Sequence, residues 1–275
     1  MTDHPLPTKT RALVICDYQL GLDHVRVEER PLRPPGPGEV LVRIAAAPIN
    51  PSDLAFIQGL YGVRKALPVV PGFEASGTIV DVGEGVSPER IGQRVACFAG
   101  DGDGTWAGFL TTHAGTCLPV EPSIDDAQAA MLLVNPLTAW ALVDRARAAG
   151  AAAVVQTAAA SALGRMIIRL AARHHLPVIN IVRRAEQIAD LQALGADYIL
   201  DSSEPTFERH LRDACRSLDA RLAFDAVGGA LAGQVLRALP NGGTLVVYGG
   251  LAGEPCQIGV DQLIFRAKRV EGFWL

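Results

Sequence analysis

The amino-acid sequence predicts an α/β fold with a β-rich N-terminal domain followed by a doubly wound parallel sheet. Short β-prone runs separated by Pro and Gly clusters fill the sequence up to Pro122, which is typical of an antiparallel, partly barrel-like domain. From Ala152 onward, β-prone and helical segments alternate, which is typical of parallel strands joined by crossover helices. We therefore expect one domain at residues 1–122 and a second at 123–275.

The N-terminal domain contains predicted strands at residues 39–44 and 76–82, each bounded by turn residues. At the domain junction, the segment Ser123-Ile-Asp-Asp126 has the spacing of a capping box and predicts a helix start. Asn135-Pro136 predicts a break with a helix on each side, because proline lacks a backbone donor and disfavours helical geometry in the residue before it. We expect Asn135 to cap the second helix.

The C-terminal domain is predicted from the alternation of apolar runs with amphipathic helical runs. In chain order, the elements are a strand at 152–157, a helix at 161–173, a strand at 177–182, a helix at 185–194, and strands at 198–200, 222–226, 244–248 and 270–275. This order predicts a Rossmann sheet with helices on both faces.

The composition favours an enzyme that acts on small molecules. Hydrophobic residues make up 49% of the chain and charged residues 20%, which is ordinary for a globular protein. The net charge of -4 and the absence of basic runs give no footprint for nucleic acid. The sequence has no apolar stretch long enough to span a membrane and no secretion signal, so we expect a cytoplasmic protein. Its five cysteines do not have the spacing of a metal site.

A dinucleotide site is indicated by the turn after the first predicted strand of the C-terminal domain. The turn reads Ala158-Ala-Ala-Ser-Ala-Leu-Gly164, where dinucleotide-binding proteins commonly have G-x-G-x-x-G. Only the last glycine, Gly164, is retained, and we expect it to permit close packing of the helix on the strand. The other side chains are small enough to let backbone N–H groups approach a pyrophosphate at the helix N-terminus. The motif alone is weak, because Ala-rich turns are common.

The choice of cofactor depends on Arg183 and Arg184 at the end of the second strand of this domain. NAD sites place an acidic residue here, which binds the ribose 2′-hydroxyl. Two guanidinium groups instead match a 2′-phosphate through charge-assisted hydrogen bonds. The sequence therefore predicts NADPH as the cofactor, and the alternative is a pair of solvated surface arginines.

Several motifs together give the chain a family resemblance. They are Pro35-Gly-Pro-Gly-Glu-Val-Leu-Val42, Ile49-Asn-Pro-Ser-Asp53, Gly72-Phe-Glu-Ala-Ser-Gly77, Gly92-Gln-Arg-Val95 and Asp225-Ala-Val-Gly-Gly229. With these motifs the chain resembles the medium-chain dehydrogenase/reductase superfamily over nearly all its length. The resemblance implies a GroES-like, partly open barrel domain followed by a Rossmann domain.

The same motifs indicate a zinc-free branch of the superfamily. Zinc-containing members have a cysteine just before the Asp of the second motif and a histidine where this chain has Phe73. The usual four-cysteine lobe is replaced by Cys97-Phe-Ala-Gly-Asp-Gly-Asp-Gly104. Because zinc needs three or four Cys, His or carboxylate ligands, we expect no metal site.

Within this branch the chain looks like the quinone oxidoreductases and the mitochondrial-type trans-2-enoyl thioester reductases. The similarity to the second group lies in Ile57-Gln-Gly-Leu-Tyr-Gly62, Gly104-Thr-Trp106, Asn135-Pro-Leu-Thr-Ala139, Ile181-Val-Arg-Arg184, Tyr248-Gly-Gly-Leu251 and Gly272-Phe-Trp-Leu275. It implies a catalytic proton donor at Tyr61, and Arg183 and Arg184 on the 2′-phosphate. The implied phosphate contacts are Ala160, Ser161, Ala162 and Leu163. The implied nicotinamide-side contacts are Asn135, Tyr248, Gly249, Gly250, Leu251, Phe273, Trp274 and Leu275.

The expected reaction is hydride transfer from NADPH to the β-carbon of a conjugated carbonyl compound, with Tyr61 protonating the α-carbon directly or through water. The alternatives are a quinone or enone reductase, because fold does not fix the substrate, and a non-catalytic NADPH-binding protein. Tyr61 also has an alternative interpretation as an ordinary loop aromatic. Ala162 departs from the family, in which a glycine usually follows the serine.

The expected partners are a small-molecule substrate and a second copy of the chain, which would form a homodimer through the edge of the Rossmann sheet. The resemblance also implies a longer protein. Family members continue for some tens of residues beyond the Gly-Phe-Trp-Leu strand and return to the catalytic domain. We therefore expect this sequence to be an incomplete representation of its protein.

Overall fold

The computed structural model describes residues 6–275, and these form two compact units that are divided in the chain between Val134 and Asn135. The first unit contains β1 (Lys9–Ile15), β2 (Val25–Pro31), β3 (Glu39–Ala46), α1 (Pro51–Ile57), β4 (Glu74–Val82), β5 (Arg94–Phe98), β6 (Phe109–His113), β7 (Cys117–Pro119) and α2 (Asp126–Ala129), with short 3-10 turns at Pro88–Arg90 and Ala114–Thr116. β1 and β2 form an antiparallel pair. The other strands form an antiparallel sheet in the order β6-β3-β4-β5-β7.

The five-stranded sheet of the first unit buries one face. Val40 and Val42 on β3, Ile79 on β4 and Val95 on β5 are fully buried in one apolar cluster. Residues two apart on a strand point to the same face, so this spacing places them together. The predicted strands at 39–44 and 76–82 lie within β3 and β4 and are confirmed.

The predicted capping box at Ser123 is wrong. The N-cap of α2 is Asp125, whose Oδ1 accepts a hydrogen bond from the backbone N–H of Gln128 at 2.8 Å. Ser123 instead lies in a turn that the Ile124 N–H closes on the Glu121 carbonyl at 3.0 Å. A carboxylate closer to the helix start therefore supplies the cap.

The second unit is a parallel sheet with helices on both faces. Its elements are α3 (Val134–Ala148), β8 (Val154–Gln156), α4 (Ala162–Arg173), β9 (Val178–Val182), α5 (Glu186–Gln192), β10 (Tyr198–Asp201), α6 (Phe207–Ser217), β11 (Leu222–Asp225), α7 (Gly229–Ala238), β12 (Thr244–Val247), α8 (Val260–Ile264) and β13 (Arg269–Gly272). The six strands are ordered β10-β9-β8-β11-β12-β13 and all pairs are parallel. The predicted fold class is confirmed. Within residues 6–275, no helix combines the length and apolar character needed to cross a bilayer.

The predicted helix break at Asn135-Pro136 lies in a different place. α2 ends at Ala129 and α3 begins at Val134, so Asn135 lies inside the first turn of α3 and does not cap it. Pro136 is tolerated in this turn because the first N–H groups of a helix have no intrahelical acceptor.

Neighbouring residues on the parallel strands pack against opposite layers of helices. Val155 and Leu245 belong to a cluster with α6 and α7, whereas Val154 and Val246 belong to a cluster with α3 and α4. Burial of both faces explains why these strands are apolar without alternation. The predicted strands are all found, but β13 ends at Gly272 and not at residue 275.

Two buried amides join the central strands of the parallel sheet. Gln156 on β8 lies opposite Asn180 on β9, and its Nε2 donates to the Asn180 Oδ1 at 2.7 Å. The same Nε2 is 3.1 Å from the Gly164 carbonyl in α4. Asn180 Nδ2 donates to the carbonyls of Val178 and Tyr198. The pair therefore connects β8, β9, β10 and the first turn of α4.

α4 approaches the loop that follows β8 most closely at Gly164. A Cβ atom at this position would lie 2.5 Å from the Ala159 carbonyl oxygen and 2.8 Å from that of Ala158. Both contacts are with backbone atoms, which cannot move aside without shifting the loop. The packing role predicted for this glycine is confirmed.

We expect Gly164→Ala to lower the free energy of unfolding by about 1 to 3 kcal/mol, the usual cost of overpacking a core. Chemical denaturation measures this change. Gly272→Ala is the matched control, because a Cβ at Gly272 meets no atom within 4 Å. Equal stability of the two variants would contradict the close approach of α4 to the loop.

Candidate active site

The loop between β8 and α4 has the form of an anion-binding turn. Ser161 is the N-cap of α4, and its Oγ accepts a hydrogen bond from the Gly164 N–H at 3.0 Å. The backbone N–H groups of Ala162 and Leu163 belong to the first helical turn, where no intrahelical acceptor is available. Their donors and the positive end of the helix dipole suit a phosphate.

Arg165 braces this loop, a role that the sequence did not indicate. Its Nε donates to the carbonyl of Ala160 at 3.0 Å, and its guanidinium also contacts Asp190 Oδ2 at 3.0 Å. The arginine therefore links the loop to α5. In the sequence, Arg165 is noticeable only as a cation near the start of a helix. The helix dipole disfavours a positive charge there, which suggests that Arg165 has a nearby partner.

Arg183 and Arg184 follow the last residue of β9 and are exposed. The backbone N–H of Arg183 donates to Gln187 Oε1 at 3.2 Å. Neither guanidinium forms an ion pair with a residue in the described part of the chain. Two unpaired cations at the carboxyl end of a parallel strand fit an anionic ligand group better than a structural role.

A buried carboxylate joins the carboxyl ends of β8 and β11. Asp225 Oδ1 accepts from the Thr157 hydroxyl at 2.6 Å and from the Val227 N–H at 3.0 Å, and Oδ2 accepts from the Gly228 N–H at 3.0 Å. Thr157 Oγ1 in turn accepts from the Ala226 N–H at 2.9 Å. Asp225 and Thr157 are both 0% exposed. This network fixes the place where the strand order reverses, which is where ligands bind in open α/β sheets.

The segment after β12 packs on the turn that follows β11. The Tyr248 N–H donates to the Asp225 carbonyl at 2.9 Å, and the Leu251 N–H donates to the Ala226 carbonyl at 3.0 Å. A Cβ at Gly249 would lie 2.8 Å from that Ala226 oxygen, so glycine permits the approach. Gly250 and Leu251 are exposed.

The hydroxyl of Tyr248 is the notable atom of this segment. It is buried and has no hydrogen-bond partner among the described residues. Burial, with the nearby Asp225 charge as the smaller cause, raises the pKa of Tyr248 well above its ordinary value. The hydroxyl is therefore protonated and needs an acceptor, which a bound ligand or water can provide.

The second unit brings most of the predicted cofactor residues to one edge of its sheet. The loops at 160–163, 183–184, 248–251 and 273–275 all follow parallel strands, whose carboxyl ends share an edge. Phe273 is held by its N–H, which donates to the Val247 carbonyl at 2.9 Å, whereas Trp274 and Leu275 are exposed. Asn135 lies in the first turn of α3, the helix that precedes β8 in the chain.

Tyr61 lies in the first unit, in the loop after α1. Its ring is tilted against that of Phe73, with the centroids 4.9 Å apart, and Phe73 contacts Phe56 edge to face at 5.7 Å. The ring of Tyr61 is thus held within an aromatic cluster. This contact accounts for the position of the ring and leaves the role of the phenol as a prediction.

Phe73 is the residue for which the family resemblance implies a histidine in zinc-containing members, and its ring packs on Tyr61 and Phe56. Within residues 6–275, no group of three or more His, Cys, Asp or Glu side chains is arranged to hold a metal ion. A phenyl ring has no donor atom for zinc. The residues present at this position do not fit a catalytic zinc.

Two buried carboxylates anchor the segments around this aromatic cluster. Glu74 Oε1 accepts from the Asn50 amide at 2.9 Å, and Oε2 accepts from the backbone N–H groups of Leu133 and Val134 at 3.0 Å each. Asp53 accepts from the Asn50 N–H at 2.7 Å. The sequence motifs contain both acids, but only the structure identifies their partners.

The pKa of Asp53 is raised from its ordinary value of 3.8 to about 6. Burial is the largest cause, hydrogen bonds from the Asn50 and Phe73 N–H groups oppose it, and the Glu74 charge adds to it. Because the folded protein binds this proton more tightly than the unfolded chain does, the contribution to stability is present at acidic pH. It is lost as the pH rises through about 6.

We expect the free energy of unfolding of the unmodified chain, measured relative to Asp53→Asn, to fall by up to about 3 kcal/mol between pH 4 and 7. Asparagine does not titrate, so the difference between the two curves isolates the carboxyl group. Urea denaturation at a series of pH values tests this. Parallel curves across the range would show that Asp53 does not titrate in this window.

Comparisons with known proteins agree with this architecture. The alcohol dehydrogenase GroES-like domain model matches residues 36–122, and the model described as zinc-binding dehydrogenase matches residues 162–275. The chain is 36% identical over 277 aligned residues to the mitochondrial enoyl-[acyl-carrier-protein] reductase of Bos taurus, covering 98% of this chain and 73% of that protein.

Two solved structures provisionally named NADPH:quinone reductases are similar in fold and sequence. The protein from Mesorhizobium loti has a TM-score of 0.90 at 36% identity, covering 98% of this chain and 83% of that one. The protein from Bacillus thuringiensis has a TM-score of 0.88 at 30% identity, covering 98% and 80%. The chain therefore belongs to the medium-chain dehydrogenase/reductase superfamily, in the zinc-free branch of the enoyl thioester reductases and NADPH:quinone reductases.

Proposed function

We propose that this chain is an NADPH-dependent, zinc-independent reductase that transfers hydride to the C=C bond of an enoyl thioester or related conjugated carbonyl compound. The observation that carries the proposal is the 36% identity to a mitochondrial enoyl-[acyl-carrier-protein] reductase over 98% of the chain. We also propose that residues 1–122 form the catalytic domain and residues 123–275 the NADPH-binding domain.

Features of the second unit fit NADPH. The N-terminus of α4 offers the N–H groups of Ala162 and Leu163 for a pyrophosphate, and Arg183 and Arg184 offer guanidinium groups for a 2′-phosphate. The buried Tyr248 hydroxyl is a donor without a described partner. NADPH, when bound, supplies the hydride that reduces the acceptor.

Tyr61 is our candidate for the proton donor. Reduction of a conjugated C=C bond adds hydride at the β-carbon and moves an electron pair onto the carbonyl oxygen as an enolate. Tyr61 then gives its phenolic proton to the α-carbon, and the phenolate recovers a proton from water. The contact with Phe73 at 4.9 Å holds the ring during this step.

The second candidate function is quinone reduction, which the names of the Mesorhizobium loti and Bacillus thuringiensis proteins favour. NADPH oxidation should be followed with enoyl-CoA esters, naphthoquinones and small enones under one set of conditions. We expect the highest kcat/KM for an enoyl-CoA ester. A preference for quinones would support the second candidate, and no turnover with purified protein that binds NADPH would support a non-catalytic role.

We also propose that the protein works as a homodimer and is located in the cytoplasm. Among the described residues, β13 is the outermost strand on its side of the parallel sheet and Val270 on it is exposed, which supports pairing of this strand with a second copy. The proposed cytoplasmic location rests on the sequence alone, whereas several similar enzymes are named as mitochondrial. Analytical ultracentrifugation and microscopy of the tagged protein test these two statements.

We expect Arg183→Ala combined with Arg184→Ala to weaken NADPH binding roughly tenfold to a few hundredfold, because each charge-assisted hydrogen bond contributes about 1.5 to 3 kcal/mol. NADH, which has no 2′-phosphate, should bind almost as before. Titration of protein fluorescence with each cofactor measures this. The control is Arg169→Ala with Arg173→Ala on α4, which removes the same charge. Equal losses for NADPH and NADH would refute the assignment.

We expect Tyr61→Phe to lower kcat for an enoyl-CoA ester far more than it changes NADPH affinity, because the substitution keeps the ring and removes the hydroxyl that would donate the proton. The effect on quinones should be smaller, since their oxygens take protons from water. Steady-state kinetics and cofactor titration provide both values, with Tyr198→Phe as the control. An unchanged kcat on every acceptor would leave Tyr61 with a packing role alone.

A further inference from the structure

A concave site lies in the Rossmann unit, away from the proposed cofactor loops. It is a cavity of about 360 Å³ whose lining includes the cations Arg212, Arg216, Arg237, Arg266 and Lys268. The volume is at the lower end of the range of small-molecule sites. The chain as a whole has a net charge of -4. The lining of the cavity is therefore of the opposite sign to the net charge of the chain.

The cavity lies at the opposite edge of the parallel sheet from the proposed cofactor loops. Pro240 and Asn241 line it and precede β12, and Lys268 precedes β13. Arg183 and Arg184 instead follow β9. All strands of this sheet are parallel. Residues that precede a strand therefore lie at the amino ends of the strands, and residues that follow a strand lie at the carboxyl ends. A strand of four residues is about 13 Å long, so the two sites are distinct.

The positive charges of the cavity are only partly balanced. Arg237 forms an ion pair with Glu208 at 3.1 Å. In the described part of the chain, Arg212, Arg216 and Arg266 form no ion pair. Arg212 and Arg216 are four residues apart on α6 and therefore lie on one side of it, where like charges repel.

Lys268 is the fixed floor of the cavity. It is 6% exposed, and its Nζ donates to the carbonyls of Leu236 and Arg237 at 2.8 and 3.0 Å and to Gln262 Oε1 at 2.9 Å. These bonds use all three of its donors. Burial, followed by the charge of Arg266, lowers the pKa of Lys268, and the charge of Asp261 opposes this. The lysine is therefore structural, and the guanidinium groups are the ones available to a ligand.

Helix dipoles explain part of the cluster but not all of it. Arg216 and Arg237 lie in the last turns of α6 and α7, where a cation is favoured. Arg212 lies in the middle of α6, and Arg266 follows the end of α8. Among the described residues, Arg212 has neither an ion pair nor a helix terminus to account for it. Arg266 lies beside the end of α8, which favours a cation, but its charge forms no ion pair there.

We propose that this cavity binds a small phosphorylated metabolite with two or more phosphate groups. Guanidinium groups bind phosphate oxygens through paired, charge-assisted hydrogen bonds, and several arginines lining one cavity favour a polyanion over a single phosphate. The cavity accommodates a ligand the size of a nucleoside diphosphate or a sugar bisphosphate.

Isothermal titration of the purified chain with inorganic tripolyphosphate at low salt tests the proposal. We expect binding of about one tripolyphosphate per chain, weakened roughly tenfold or more by Arg212→Ala combined with Arg216→Ala. The Arg169→Ala, Arg173→Ala control removes the same charge with the same spacing from α4 and should bind as the unmodified chain does. The Arg183→Ala, Arg184→Ala variant should also retain this binding.

Two further measurements complete the test. Titration with ADP and with fructose 1,6-bisphosphate, each in the presence of saturating NADPH so that the proposed cofactor site is filled, identifies the ligand class, since the tighter of the two indicates a nucleotide or a sugar phosphate. Arg266→Gln serves as a second cavity variant if the double variant on α6 unfolds, which circular dichroism reveals. No binding of tripolyphosphate by the unmodified chain, or an equal loss in the α4 control, would overturn the proposal.

Discussion

The cofactor edge of the second unit depends on the buried carboxylate of Asp225. It accepts hydrogen bonds from the Thr157 hydroxyl and from the N–H groups of Val227 and Gly228, and so connects β8 with the turn that follows β11. The main chain of Asp225 also accepts the Tyr248 N–H. Three loops thus take their positions from one residue. A buried carboxylate with satisfied acceptors is stable in place, but removal of any donor leaves it exposed to a large desolvation cost.

The sequence predicted the fold well where a periodic pattern and a steric rule agree. Val154 and Val246 lie in strands that the apolar runs predicted, and Gly164 provides the close contact expected of the last glycine in the fingerprint. The strands at 39–44 and 76–82 were predicted for the same reason. Local sequence is sufficient in these cases because burial on a pleated strand and contact at a helix start involve near neighbours.

The sequence was less informative about helix ends and about long-range hydrogen bonds. Ser123 and Asp125 are both good N-caps by residue type, and only the turn closed on Glu121 decides between them. The partners of Glu74 lie about sixty residues away, at Leu133 and Val134. No rule of spacing connects such residues, so the acids were recognised as motif members without their partners. α6 and α7 are not among the elements predicted from the sequence, although the buried residues of α6, Phe207, Leu211 and Cys215, recur at the four-residue spacing of one helix face.

The amide pair of Gln156 and Asn180 has a consequence for how the sheet assembles. β8 and β9 are otherwise made of Val and Ile, and such strands pair almost equally well in neighbouring alignments. A shift of one residue would turn each amide toward the other helix layer and separate its donors from the Gly164 and Tyr198 carbonyls, at about 1 to 3 kcal/mol for each unsatisfied group. The polar pair therefore selects one alignment among several that apolar packing alone would permit, as a buried asparagine does in a coiled coil. The alignment of β8 and β9 also determines the positions of the loops that follow them, relative to each other.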